Sequence, residues 1–249
     1  MRKLSRFVLA PALLLALAGS LALAADQTIL GRALTVKNPS DATKRKIVGI
    51  AKEKGSPNTI VGNPTVAGSA GGAILRLTAL GASSSDQAFV LPQGTSVSGK
   101  PFWTAIGSTG FKYRDSRGEQ GPVKLVLIKR TPSANFLMKA QVSGKNGTVN
   151  VVPPNPGNSG FMTLKIGTGN NGERYCVQYG PESQITNKGT KLFRAKKPLA
   201  QGCPGGGPPT TTTTTLVTTT TTSSSTTTTT LMYGSPSRAF LALPGDLLD

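Results

Sequence analysis

An all-β fold, built as an antiparallel sandwich, is what this sequence predicts, and three observations predict it. Short runs of Val, Ile, Leu, Phe and Thr alternate with lysine or arginine across residues 25–203, the period of strands with one wet face. Clusters of Gly, Pro, Asn and Ser interrupt these runs at short intervals, as strand connections do. Outside the N-terminal apolar run, no helical stripe of useful length occurs.

The expected strands are 32–36, 46–51, 74–80, 87–91, 111–114, 123–129, 136–142, 149–152, 162–166, 174–179 and 191–195. Two turns have a stated mechanism. Gly144-Lys145-Asn146-Gly147 and Gly169-Asn170-Asn171-Gly172 each hold an Asn that tolerates positive φ beside Gly, which suits a tight hairpin. The run 123–129 is apolar on both faces at its centre, with Leu125 and Leu127 opposing Val126 and Ile128, so it belongs inside a sheet. These strands fit one large β-sandwich, or two smaller β-units meeting near 93–100. From Ser56 to Gly72 the chain is rich in Gly, Pro, Ser, Ala and Asn without periodicity, and reads as a long loop.

The ends carry an address. Arg2, Lys3 and Arg6 precede an apolar run from Val8 to Leu23, and Ala22-Leu23-Ala24 ends it with small residues, so residues 1–24 are expected to be a cleaved signal peptide. A secreted or extracytoplasmic location follows, in the periplasm or at the cell surface, and no later stretch is long and apolar enough to span a bilayer. Residues 204–230 pass from Gly and Pro into an almost pure threonine tract. Such a tract cannot offset the entropy of folding and is expected to be a disordered linker. Residues 231–249 form a short tail, read either as a native end or as a truncated or frame-shifted one.

The chain of 249 residues has 28 Lys plus Arg against 10 Asp plus Glu, a net charge of +18. Setting aside Arg2, Lys3 and Arg6 of the leader and Arg238, Asp246 and Asp249 of the tail leaves 24 bases and 8 acids, so the body holds the charge. Such a body attracts polyanions, among them acidic polysaccharide, at long range. The local runs that could contact one are Lys44-Arg45-Lys46 and the segment holding Arg194, Lys196 and Lys197. The competing reading is a solvated surface with its lysines facing water. Cys176 and Cys203, the two cysteines, are expected to pair in an oxidising compartment, stabilising the domain by about 3 to 4 kcal/mol.

Several segments look familiar together. Gly31-Arg-Ala-Leu-Thr-Val-Lys37, Asp41-Ala-Thr-Lys-Arg-Lys46, Trp103, Gly110-Phe-Lys-Tyr-Arg-Asp115, Gly121-Pro-Val-Lys124, Arg174-Tyr-Cys-Val177 and Lys188-Gly-Thr-Lys-Leu-Phe193 resemble a recurrent β-rich module of exported bacterial proteins. That module has no assigned function. The resemblance implies a bacterial origin and an extracellular β-domain, and it transfers no catalytic or binding residue.

Chemistry narrows by absence. The chain has no histidine, which removes Ser-His-Asp and Cys-His catalysis and histidine-ligated zinc. Asp115 and Glu119 are the one close pair of acids in the body, and they lie between strands, where acids commonly solvate a turn. Gly167 to Glu173 lacks the spaced aspartates of a calcium loop. No cofactor and no metal is expected. In Phe111-Lys-Tyr-Arg114 the alternation sends two aromatics to one face and two bases to the other, with the aromatics, like Trp103, in the core. The function expected is a non-enzymatic structural or adhesive β-domain displayed through the threonine-rich linker. The alternative is a basic module that binds acidic glycans or other polyanions.

Overall fold

The computed structural model describes residues 26–169, 172–180 and 184–196. The strands are β1 (Asp26–Thr28), β2 (Gly31–Lys37), β3 (Lys46–Glu53), β4 (Ala73–Gly81), β5 (Ser85–Leu91), β6 (Trp103–Ala105) and β7 (Gly110–Arg114). They continue with β8 (Val123–Arg130), β9 (Phe136–Ser143), β10 (Gly157–Ile166), β11 (Arg174–Tyr179), β12 (Gln184–Lys188) and β13 (Leu192–Lys196). Two sheets result: a five-stranded one in the order β1-β11-β10-β4-β5, and an eight-stranded one in the order β12-β13-β2-β3-β9-β8-β7-β6. The protein is all-β and sandwich-like. One pair departs from the antiparallel expectation, because β1 runs parallel to β11. Each sheet takes strands from both sides of 93–100, so the fold is not two sequential β-units.

The alternation of each strand fills the space between the sheets. From the larger sheet, Leu34, Val36, Ile47, Met138, Val142, Val126 and Phe193 are almost wholly buried; from the smaller come Leu75, Leu77, Met162, Leu164, Tyr175 and Tyr179. At about 1.5 to 3 kcal/mol for each fully buried large side chain, this shared core is the main stabilising term. Strand β8 lies between β7 and β9 as expected. A register shift between Val123 and Leu125 lets both Val123 and Val126 turn inward although three residues apart. Trp103 is buried, donates from Nε1 to the Leu91 carbonyl at 3.2 Å, and packs against Tyr113 with ring centroids 5.3 Å apart. That contact ties the edge of one sheet to the edge of the other.

Three differences from the sequence reading have physical causes. Residues 149–152 form no strand. Val149 and Val151 are buried as expected, but their backbone bonds to side chains of β5: Asn150 N to Gln87 Oε1 at 2.7 Å, and Val152 N to Ser85 Oγ at 3.0 Å. Gly144–Gly147 is therefore no hairpin; Gly144–Asn146 is a 3-10 turn that leads from the larger sheet across to the smaller. Strand β10 begins at Gly157, five residues before the expected start at Met162, and a Cβ at Gly157 would lie 2.5 Å from the Phe193 ring. Glycine there is an interlayer fit. By contrast β10 and β11 do pair antiparallel, with Lys165 opposite Arg174, although Asn170 and Asn171 of the expected turn lie outside the described residues.

The long 56–72 connection is pinned at several points. Tyr175 accepts from Val61 N at 2.6 Å and donates to its carbonyl at 3.1 Å, and Asn58 Nδ2 donates to the Thr28 carbonyl at 2.7 Å. Burial raises the phenol pKa of Tyr113, Tyr175 and Tyr179 well above the ordinary value. The Tyr179 hydroxyl lies against the β3 backbone at Gly49–Ile50 without a well-formed hydrogen bond. A raised folded pKa means that the native state holds these protons longer than the unfolded chain. Stability from this source is thus complete below the unfolded phenol pKa of about 10 and falls as pH rises beyond it. The expected result is that phenolate absorbance from these three of the four tyrosines appears only together with loss of β-sheet circular dichroism.

Candidate polyanion-binding face and edge cleft

Alternation that fills the core with one set of residues must present the other set on the outer faces. On the smaller sheet both outward arginines are paired with acids, and Lys165 donates to the Gly169 carbonyl. Asp86 accepts from the Arg76 guanidinium, with Nη2 2.7 Å from Oδ2, and from the Thr78 hydroxyl at 2.8 Å, and Arg174 pairs with Asp26. The Arg76 hydrogen bonds hold the Asp86 carboxyl below the usual carboxylate range, and Asp26 raises the Arg174 guanidinium pKa further. That face carries both signs.

The larger sheet is different. Following the registers across it, one row of outward residues runs Gln184, Lys196, Ala33, Ile50, Lys139, Leu127, Lys112, Thr104. The next runs Thr186, Arg194, Thr35, Val48, Gln141, Leu125, Arg114. The flanking rows add Lys188, Leu192, Lys37, Lys46 and Ser143 on one side, and Lys52, Leu137 and Lys129 on the other. No acid occupies any of these outward positions. None of these bases forms an ion pair among the described residues, whose three pairs involve Lys44, Arg76 and Arg174. Lys37 even stands directly opposite Lys46, an arrangement of like charges that costs stability. Half-buried aliphatics lie between the bases, as Ile50 and Leu127 do beside Lys139, which offers apolar surface for lysine stems.

The expected contact residues separate on this map. Lys46, Arg194 and Lys196 belong to the face. Lys44 does not: it is exposed in the 3-10 turn Ala42–Lys44 and pairs with Asp41 at 3.4 Å. Arg45 does not either, because it is a structural tie, its Nε bonding Asn38 Oδ1 at 2.7 Å and its Nη1 the Val149 carbonyl at 2.8 Å. Lys197 lies outside the described residues. Lys37, Lys52, Lys112, Arg114, Lys129, Lys139 and Lys188 complete the face and were not singled out from local runs of charge. Their signal is one or two bases per strand on one parity, and it becomes visible only when the strand order is known.

At the β6–β7 edge the face ends in an open cleft of about 450 Å³. Lys112 and Arg114 line it from β7, and Lys100, Arg117, Asp115 and Glu119 from the flanking loops. Asp115 is buried. Its Oδ1 accepts from Gly118 N at 2.7 Å and Glu119 N at 3.0 Å, and its Oδ2 from Gln120 N at 2.7 Å. The carboxylate therefore organises the 115–120 turn. Replacing Asp115 by Ala leaves three part-buried N–H groups without that partner and is expected to destabilise the fold by about 1 to 3 kcal/mol, read from the denaturant midpoint.

Cys176 is fully buried on β11, whereas Cys203 lies outside the described residues, as do the expected signal peptide, linker and tail. Among the described residues no group of three or more Cys, Asp or Glu is placed to hold a metal ion, and no helix is long and apolar enough to cross a membrane. No protein-family model matches the chain, and no curated protein or solved structure is detectably similar to it. The resemblance to an exported β-rich module accordingly rests on the short segments quoted above.

Proposed function

We propose that this is a non-catalytic adhesive module that binds an acidic polysaccharide or similar polyanion through the outer face of its eight-stranded sheet. One observation carries the reading: that face collects lysines and arginines from seven of its eight strands without one acid among them. A surface merely kept soluble would intersperse both signs, as the smaller sheet does. An acid-free field steers a polyanion in and is then neutralised by it, which also relieves the repulsion between Lys37 and Lys46.

Export, a Cys176–Cys203 disulfide and display through the threonine tract complete the proposal. An adhesive domain needs a ligand outside the cell and a spacer to reach it, and the tract supplies the second. Amide chemical-shift mapping of the full chain with a uronate oligosaccharide tests the assignment. Shifts concentrated on β2, β3, β8, β9 and β13 support it; shifts confined to the smaller sheet refute it. Intact mass under non-reducing conditions tests the disulfide, since two free thiols in the secreted protein contradict it.

A further inference from the structure

We propose that the cleft at the β6–β7 edge is a subsite for one acidic sugar unit; this rests on reading the basic face as a polyanion surface. Lys112 and Arg114 belong to both, so a chain lying on the face reaches the cleft without a gap in positive charge. Arg114 and Arg117 supply planar forks that match a carboxylate or sulfate bidentately. Those features alone would suit any small anion.

The rest of the lining selects a sugar. Ser96, Ser98, Thr104 and Ser116 bring hydroxyls that both donate and accept. Exposed Pro101 adds an apolar surface. The decisive group is Glu119. Glu119 lines the cleft, and its Oε2 accepts from Val97 N at 2.9 Å, which uses one of that oxygen's two lone pairs. A bare anion offers no donor and is repelled by Glu119. A sugar acid offers both halves, an anionic group for the guanidinium forks and O–H donors for the carboxylate. Asp115 does not compete, because three backbone N–H groups already occupy it. The volume, about 450 Å³, sits at the small end of the roughly 300 to 1,000 Å³ found for ligand pockets, the scale of one or two rings.

The test is calorimetric titration of the full chain at low salt with a galacturonate trimer, the neutral galactose trimer and inorganic phosphate. The expected order is uronate trimer tightest, with the neutral trimer and phosphate both at least tenfold weaker. Arg114→Ser with Arg117→Ser should weaken the uronate trimer at least tenfold. Glu119→Gln should weaken it several-fold while strengthening phosphate, a split that a merely structural Glu119 would not produce. Unfolding midpoints confirm that the variants fold; were Glu119→Gln to unfold, the arginine pair, on exposed positions, still decides. Phosphate binding as tightly as the uronate trimer overturns the inference, as does an arginine-pair variant that binds the trimer normally. If the trimer is lost on reversing Lys139 and Arg194 but kept by the cleft variants, the subsite fails and the face stands. If a long uronate polymer survives reversal of the face, the face itself fails.

Discussion

Binding to an immobilised sulfated polysaccharide is expected to weaken about a thousandfold or more as salt rises from about 50 mM to about 200 mM, the loss set by six to ten neutralised charges. The argument runs from the strand registers. A polyanion crossing the larger sheet passes Lys196, Lys139 and Lys112 in one row and Arg194 and Arg114 in the next, and each contact releases a condensed counterion. Because none of these bases has a protein carboxylate to abandon, nothing offsets that release. The check is the slope of log affinity against log salt. Each face lysine changed to Gln should lower its magnitude by roughly one, and a slope that ignores those changes would mean that the charge acts elsewhere.

The second large effect is in the core. Phe193→Ala is expected to cost about 3 to 5 kcal/mol, read from chemical denaturation. Phe193, from β13, is wholly buried, and its ring fills the space left by Gly157 of β10, where a Cβ would lie 2.5 Å from it. Gly157→Ala should therefore destabilise by overpacking, about 1 to 3 kcal/mol. In the double variant the smaller side chain at 193 accepts the new methyl, so the two costs should fall short of their sum by about 0.5 to 3 kcal/mol. Strict additivity would show that the glycine and the ring do not share that space.

That glycine–phenylalanine fit shows where sequence reasoning stops. Strands such as 136–142 and 174–179 were legible because apolar and polar residues alternate within one segment, a local signal. The start of β10 was not, because Gly157 and Gly160 look like turn residues until the facing ring is known. Segment 149–152 misleads in the opposite sense: Val149 and Val151 alternate into the core as strand residues do, yet Ser85 and Gln87 side chains replace the ladder. Short edge strands β1 and β12 carry no apolar pattern at all. β1 is held by the distant β11, and β12, paired with its neighbour β13, is also tied across the sandwich where Asn187 bonds both the N–H and the carbonyl of Gly157. The same limit governs the site. Local runs pointed to Lys44 and Arg45, which the fold spends on Asp41, Asn38 and Val149, whereas the face depends on single bases such as Lys139 and Lys112, distant in sequence and brought into one row by strand order.

Two variants of equal net charge separate the face from the charge as a whole. One carries Lys139→Glu and Arg194→Glu on the sheet; the other carries Lys54→Glu and Lys145→Glu, exposed on connections outside it. Affinity of each full chain for the same acidic polysaccharide, at fixed low salt, is the direct measurement. The sheet variant is predicted to lose at least tenfold more affinity than the connection variant, with both unfolding at the wild-type midpoint. Equal losses in the two would contradict the assignment of binding to this face.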